Sequence, residues 1–366
     1  MPKIRIGDRW VGDGEPAYII AEIGSNFDGS LERVKLLAKL AKEDGADAFK
    51  IQNFKAEQIV SETGFSGLKV AHQATWEKPL MDVWRAAEFP REWIPEVAAY
   101  CKKIGIHFFS APYDKEAVDM LEAVNVPCHK IGSGEITNPK FLECVAKTGK
   151  PIILATGAAD MGTVQMAVDT IRKAGNDQII LLQCTTAYPS SVRHSNLRVM
   201  QTYAQTFGCV VGVSDHTIGP AGTGDDPLDG ITVPIASVAL GGKVIEKHIS
   251  DDKTRKGPDH LFAMEFGKSF RTMIQAVRAA EAALGSPEKR ITDDEKQTCI
   301  IQTRGLYAAM DIKKGDVITE DKLMALRPAL GVKPYEEKNI LGQKAGRDIP
   351  KGHPIHFADI AGKNAQ

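Results

Sequence analysis

The feature that most constrains this chain is the alternation of eight short apolar runs with amphipathic segments before residue 287. Runs rich in β-branched residues predict buried strands, and apolar residues three or four positions apart, such as Val34, Leu37 and Ala41, predict helices. Strict alternation implies a parallel sheet, and eight units in about 285 residues favour a (β/α)8 TIM barrel over a doubly wound sheet. The predicted strands are 17–23, 48–51, 107–110, 126–131, 152–156, 179–184, 210–214 and 243–247.

A TIM barrel carries its catalytic groups at the carboxyl ends of its strands, and polar side chains do follow the predicted strands. These are Glu22, Lys50, Gln52, Ser110, Lys130, Ser133, Glu135, Thr156, Thr186, Tyr188, His216 and His248.

Two successive strands, the seventh and eighth, each end in a histidine, His216 and His248. Each of them follows an acidic residue, Asp215 or Glu246, closely. This favours a divalent metal held by both imidazoles, with the carboxylates as supporting partners of the histidines. The alternative is that each histidine only finishes its strand and hydrogen-bonds a neighbour.

The segment 130–135 (KIGSGE) joins a lysine and a serine to a glycine-rich turn, which suits an anion. With Lys50 on another strand, Lys130 and Ser133 predict an anionic substrate with more than one negative group. The alternative is a structural network in which the lysines pair with Glu22 and Glu135. Those two carboxylates are equally candidates for proton transfer and plain counter-ions.

Composition argues against several classes of function. The 46 basic and 47 acidic residues leave a net charge of −1, so no global field favours nucleic acid or a membrane. The six cysteines form no C-x-x-C pair and are expected to be reduced. No apolar signal core opens the sequence and no run approaches a membrane span, so we expect a cytoplasmic protein.

The character of the chain changes after Pro287. Residues 292–295 (TDDE) suit a capping box that opens a short helix. Further on, 311–315 (DIKKG) recurs as 348–352 (DIPKG), which suggests a small pseudo-symmetric β domain. We therefore predict a catalytic barrel at 1–287, a linker at 288–303 and a small domain at 304–366.

Eight ordered strings together resemble the N-acetylneuraminate (sialic acid) synthase family, including a C-terminal part similar to the antifreeze-like SAF domain, a β-clip. The strings are 20–26 (IAEIGSN), 49–52 (FKIQ), 130–135 (KIGSGE), 183–189 (QCTTAYP), 214–219 (SDHTIG), 246–248 (EKH), 252–254 (DKT) and 257–260 (GPDH).

The resemblance implies that phosphoenolpyruvate condenses with an open-chain N-acylated amino sugar to give a nonulosonic acid and phosphate. It implies that His216 and His248 bind Mn²⁺ or Mg²⁺, and that Glu22 and Glu135 manage proton and water. It also implies that Arg327 of the SAF domain enters the barrel of the partner in a domain-swapped homodimer. The implied phosphoenolpyruvate contacts are Lys50, Ser110, Lys130, Ser133 and Ser214, and the implied sugar contacts are Gln52, Tyr188 and Asp259.

Several positions depart from the family pattern and leave the sugar open between N-acetylmannosamine and a 2,4-diacetamido-trideoxy hexose. They are Phe27, the loop 62–88, Ala155, Thr186, an insertion at 222–230, and Ala263. Two other functions are open: a Schiff-base aldolase on the same barrel with Lys50 or Lys130 as nucleophile, and a carbohydrate-binding protein that uses its C-terminal domain.

Overall fold

The computed structural model describes residues 2–65 and 79–362. The chain divides into two compact units, residues 1–285 and 286–366. Within the described ranges, no helix combines the length and the apolar character that a bilayer crossing requires.

Eight parallel strands form the barrel of the first unit, as the alternation predicts. Seven of the eight neighbouring pairs of barrel strands are hydrogen-bonded, including the eighth strand with the first, and the third and fourth strands contact each other. Each strand is almost wholly buried because the barrel interior covers one face and the helices cover the other. The barrel strands are β3 (Tyr18–Glu22), β4 (Ala48–Asn53), β5 (His107–Pro112), β6 (His129–Ile131), β7 (Ile152–Ala155), β8 (Ile179–Cys184), β9 (Val210–Asp215) and β10 (Val244–Ser250).

The helices of this unit pack their apolar stripe on the barrel, and α1 (Leu31–Asp44) shows why the sequence folds this way. The Ser30 side chain accepts a hydrogen bond from the Arg33 amide at its start. Gly45 ends it with a positive φ of 98°. The others are α2 (Ala56–Ile59), α3 (Glu62–Phe65), α4 (Leu80–Ala86), α5 (Ile94–Ile104), α6 (Lys115–Ala123), α7 (Pro139–Ala146), α8 (Met161–Lys173), α9 (Val199–Phe207), α10 (Thr232–Ala239) and α11 (Ser269–Leu284).

Two small strand pairings accompany the barrel. An antiparallel hairpin of β1 (Lys3–Ile6) and β2 (Arg9–Gly12) precedes it, and the sequence pattern did not predict this hairpin. A two-residue strand, β11 (Met264–Glu265), pairs with the carboxyl end of β10.

The second unit contains the predicted capping box at Thr292, followed by α12 (Lys296–Gln302). Strands β12 (Gly305–Ala308) and β13 (Leu323–Leu326) pair antiparallel. The internal repeat folds on itself: Asp348 accepts from the Lys314 amide at 2.8 Å, and Asp311 accepts from the Lys351 amide at 2.8 Å. The aspartate of each copy therefore accepts a hydrogen bond from the turn of the other copy, so the sequence repeat corresponds to a structural one.

Candidate active site

The two strand-end histidines meet at the carboxyl end of the barrel. His248 lies in β10 and His216 directly follows β9, and their ring centroids are 5.4 Å apart. Tyr188 packs against His216 at 4.4 Å, and Phe262 packs against His248 at 5.0 Å. Both imidazoles are over 90% buried, so they form one shielded pair.

The chemistry of the two imidazoles fits a divalent cation. His216 Nδ1 lies 3.1 Å from the Thr185 carbonyl, which can only accept, so Nδ1 carries a hydrogen and Nε2 is the nitrogen that could bind a metal. Burial would lower the pKa of His216, but Cys184 and Asp215 outweigh it and raise that pKa, so a cation would have to displace a proton when the ring is charged. His248 Nδ1 is buried and has no hydrogen-bond partner in the described residues. Burial lowers the pKa of His248 well below its usual range, and the neighbouring His216 and lysines lower it further. No cluster of three or more potential protein ligands occurs in these ranges, so the other ligands would be water or substrate.

The two carboxylates predicted to support the histidines, those of Asp215 and Glu246, accept hydrogen bonds from other residues, so that part of the prediction is wrong. Asp215 accepts from Lys247 Nζ at 2.8 Å and from the Thr217 hydroxyl at 2.9 Å. Glu246 accepts from the Ser214 hydroxyl at 3.1 Å. Side chains alternate along a strand, so Asp215 and Lys247 share the face opposite to that of Ser214 and Glu246.

Four charged side chains form a buried lysine–glutamate cluster: Glu22, Lys50, Lys130 and Glu246. Lys50 forms an ion pair with Glu22, and its Nζ lies 3.7 Å from Glu246 Oε1. Lys130 Nζ lies 3.6 Å from the same oxygen. Each of the four is at most 4% exposed. A carboxylate of β10 thus lies between lysines that come from β4 and β6.

This cluster corrects the expectation that the two lysines lack partners. The structural alternative was right for Lys50 with Glu22 and wrong for Lys130, whose carboxylate neighbour is Glu246 rather than Glu135. Burial lowers the pKa of Lys130 despite Glu246, whereas the two glutamates outweigh burial at Lys50 and raise its pKa. The lysines are therefore held in place by carboxylates.

The environments of the two cluster glutamates push their pKa values apart. Burial raises the pKa of Glu22 more than the Lys50 ammonium lowers it. Burial also acts on Glu246, but Lys130, Lys50 and the Ser214 hydroxyl outweigh it, and the pKa of Glu246 is lowered. The surroundings therefore shift the pKa values of these two carboxyl groups in opposite directions, which suits different roles for them.

The predicted hydroxyl groups line the same end of the barrel. Ser110 donates to the Ile51 carbonyl at 3.1 Å, and Ser133 Oγ accepts from the Gly157 amide at 3.0 Å. Ser133 and Glu135 lie in a 3₁₀ turn directly after β6. Burial raises the pKa of Glu135, although a hydrogen bond with Asn138 opposes it.

Several of the predicted sugar contacts are more exposed than the lysine–glutamate cluster. Tyr188 is 39% exposed beside the histidine pair, Thr186 is exposed, and Gln52 is half-buried in β4. Asp259 Oδ2 accepts from the Ser25 amide at 2.7 Å and from the Ser25 hydroxyl at 2.8 Å. Burial raises the pKa of Asp259 more than these hydrogen bonds lower it.

Two residues of the site escaped the sequence reasoning. Tyr113 follows β5, and its hydroxyl would lie 3.2 Å from a Cβ at Gly132. Burial raises the pKa of this phenol, and the charges of Lys50 and Glu22 act on it as well. Burial would raise the pKa of Cys184, the last residue of β8, but interactions with His216 and Ser133 outweigh it and lower that pKa. The sequence signal that could have identified Tyr113 and Cys184 is their position at or just after the ends of strands.

Three further predictions concern other segments of the chain. Arg327 is exposed in the C-terminal unit, directly after β13. The loop 62–88 contains residues 66–78, which lie outside the described ranges. The segment 222–230 is folded onto its surroundings, where Asp225 accepts from the Val192 amide at 2.8 Å and Asp226 from the Thr232 hydroxyl at 2.6 Å.

Comparison with known proteins identifies the family. The sequence model of the NeuB family matches residues 37–289, and that of the SAF domain matches residues 303–361. The chain belongs to the NeuB family. The predicted resemblance and the predicted barrel with a C-terminal SAF domain are thereby confirmed.

Relatives within and beyond bacteria are similar over nearly their whole length. The N,N'-diacetyllegionaminic acid synthase of Legionella pneumophila is 36% identical, over 95% of this chain and 96% of the relative. The human N-acetylneuraminate-9-phosphate synthase is 34% identical, over 92% of this chain and 90% of the relative. The solved N-acetylneuraminic acid synthetase of Leptospira borgpetersenii, in complex with citrate, is 27% identical with a TM-score of 0.69, over 81% of this chain and 95% of that one.

Proposed function

We propose that this NeuB-family protein condenses phosphoenolpyruvate with an N-acylated amino sugar to form a sialic-acid-like nonulosonic acid and phosphate. The observation that carries the proposal is the lysine–glutamate cluster beside the histidine pair, at the end of the barrel where such enzymes act. The relatives are named as synthases, which favours an enzyme over the carbohydrate-binding alternative.

The cluster supplies what binding of phosphoenolpyruvate requires. Lys50 and Lys130 are oriented by Glu246 and receive the negative groups of the substrate, with Ser110, Ser133 and Ser214 as hydroxyl partners. Glu246 stays ionised and keeps the two ammonium groups from repelling each other. Holding phosphoenolpyruvate at both ends aims its carbon 3 at the sugar aldehyde.

Proton transfer falls to the other carboxyl groups of the site. As carbon 3 attacks the aldehyde, carbon 2 becomes cationic and is captured by water, and phosphate then leaves with cleavage of the C–O bond. Glu22 and Glu135, whose pKa values burial raises, suit the exchange of protons with that water and with the sugar oxygen.

The histidine pair is the proposed site of Mn²⁺ or Mg²⁺, as the neutral His248 and the orientation of His216 favour. When bound, such an ion supplies Lewis-acid polarisation of the sugar aldehyde. Tyr188, Gln52, Thr186 and Asp259 are the proposed sugar contacts.

We propose a homodimer in which Arg327 of one subunit completes the barrel site of its partner. The exposed position of Arg327 leaves it free to reach a second subunit.

A Schiff-base aldolase is the second candidate, because burial lowers the pKa of Lys130 and a lysine with a lowered pKa is the nucleophile that this chemistry needs. Borohydride would trap pyruvate on such a lysine, and activity would survive EDTA.

The deciding experiment measures phosphate release from phosphoenolpyruvate with Mn²⁺ and a panel of sugars: N-acetylmannosamine, its 6-phosphate and 2,4-diacetamido-trideoxy hexoses. Mass spectrometry of the product identifies the nonulosonic acid. Phosphate release that does not depend on any sugar, or pyruvate trapped by borohydride, would contradict the synthase proposal.

A further inference from the structure

A third histidine near the site, His260, has no part in the proposed chemistry although it is completely buried. Its Nδ1 lies 2.8 Å from the hydroxyl of Ser250, the last residue of β10. Its Nε2 lies 2.9 Å from Oδ1 of Asp28, in the loop after β3. One imidazole therefore joins the loops that leave two neighbouring barrel strands.

The carboxylate of Asp28, which accepts from His260, is ionised and is contacted by two arginines. Arg255 Nε donates to Asp28 Oδ2 at 2.8 Å, and Arg33 Nε lies 3.3 Å from the same oxygen. Burial would raise the pKa of Asp28, but the hydrogen bonds from His260 and Arg255 outweigh it and lower the pKa. Since an ionised carboxylate only accepts, Nε2 of His260 carries a hydrogen and donates it.

His260 also directly follows Asp259, which contacts the same loop. Both hydrogen bonds from Ser25 fall on Oδ2 of Asp259, and Oδ1 accepts none from the described part of the chain. The two loops are thus joined twice, by Asp259 with Ser25 and by His260 with Asp28. A Cβ at Gly24 would overlap Asp259 Oδ2 and lie 3.2 Å from His248 Cε1, so the held carboxylate lies next to the histidine pair.

We propose that His260, through Asp28 and Ser250, is a positioning residue that fixes the carboxylate of Asp259 for the hydroxyl groups of the amino sugar. The inference rests on the proposed function, which makes Asp259 a sugar contact. The lysine–glutamate cluster is held by its own ion pairs, so binding of phosphoenolpyruvate does not depend on His260.

The test compares KM for each substrate in the full-length protein. His260→Asn is expected to raise KM for the amino sugar about tenfold or more, because loss of about 1 Å in placement weakens oriented binding, and to change KM for phosphoenolpyruvate less than about twofold. The matched control is His129→Asn. His129 is an equally buried histidine, 2.8 Å from Glu122, at the opposite end of the barrel in β6. This control should lower Tm without a selective effect on the sugar.

A second pair of variants does not depend on the folding of His260→Asn. Asp28 has a φ of +49°, which asparagine and glycine both tolerate. Asp28→Asn keeps an acceptor for Nε2 and should stay close to wild type in sugar KM, whereas Asp28→Gly removes the acceptor and should behave like His260→Asn.

Equal KM values for the sugar in Asp28→Asn and Asp28→Gly would overturn the positioning role of His260. Parallel rises in KM for the sugar and for phosphoenolpyruvate would overturn it as well. Neither outcome contradicts the synthase proposal if the wild-type protein turns over. A wild-type protein that condenses no amino sugar with phosphoenolpyruvate would overturn both.

Discussion

His216 and His248 stand at the ends of neighbouring strands with their ring centroids 5.4 Å apart, and one nitrogen of His216 is already committed to the Thr185 carbonyl. This arrangement makes Nε2 the nitrogen of His216 that could bind a metal.

Removal of metal is the first prediction. Dialysis against EDTA should abolish turnover, and Mn²⁺ or Mg²⁺ should restore it. His216→Ala and His248→Ala should each lose bound metal and at least about 100-fold in kcat, since Lewis-acid stabilisation contributes several kcal/mol. Metal content measured by elemental analysis checks the first effect. His194→Ala alters an exposed histidine and should keep both metal and activity.

The separated pKa values of the cluster glutamates predict different stabilities for two isosteric variants. Glu246→Gln leaves Lys50 and Lys130 without their shared ionised partner and should lower the free energy of unfolding by about 3 kcal/mol. Glu22→Gln also removes a carboxylate partner of Lys50, but burial disfavours the charge of Glu22 and Glu246 remains beside the lysine, so the loss should be smaller, about 1 kcal/mol. Chemical denaturation of both variants measures the difference. Equal losses would contradict the inferred difference between the two carboxyl groups.

Gly24→Ala tests the packing of Asp259 against the histidine pair. The new Cβ would overlap Asp259 Oδ2, so we expect a large rise in KM for the amino sugar as well as lower stability. Gly29→Ala is the matched control, since Gly29 has a similar positive φ of 67° and nothing within 4 Å of an added Cβ. Both variants should lose roughly 1–2 kcal/mol of stability from the left-handed backbone, and only Gly24→Ala should affect the sugar.

Subunit mixing tests the proposed role of Arg327. Dimers that pair an Arg327→Ala subunit with a His216→Ala subunit contain one site with both residues intact. An equal mixture that exchanges subunits freely should therefore recover about one quarter of wild-type activity. Co-expression with two different affinity tags isolates the hybrid dimer. A purified hybrid no more active than its parents would count against a shared site.

Much of the active site was predictable because a parallel barrel brings all its strand ends to one place. Lys50, Lys130, His216 and His248 could be assigned to that place because each stands at or near the end of a predicted strand. The family motifs added the proposed reaction. The N-terminal hairpin was missed because its two four-residue strands give too little periodicity to detect.

What the sequence by itself determined is which side chains stand at the ends of which strands. Only the tertiary structure decided their partners: Glu246 with two lysines instead of a histidine, Asp215 with Lys247, and His260 with Asp28. The physical reason is that the alternation of side chains along a strand assigns each to a face, whereas contacts across a sheet depend on the register between strands far apart in the chain. His216 and His248 could be paired in advance because their strands are successive, and Asp28 and His260 could not, because 232 positions separate them.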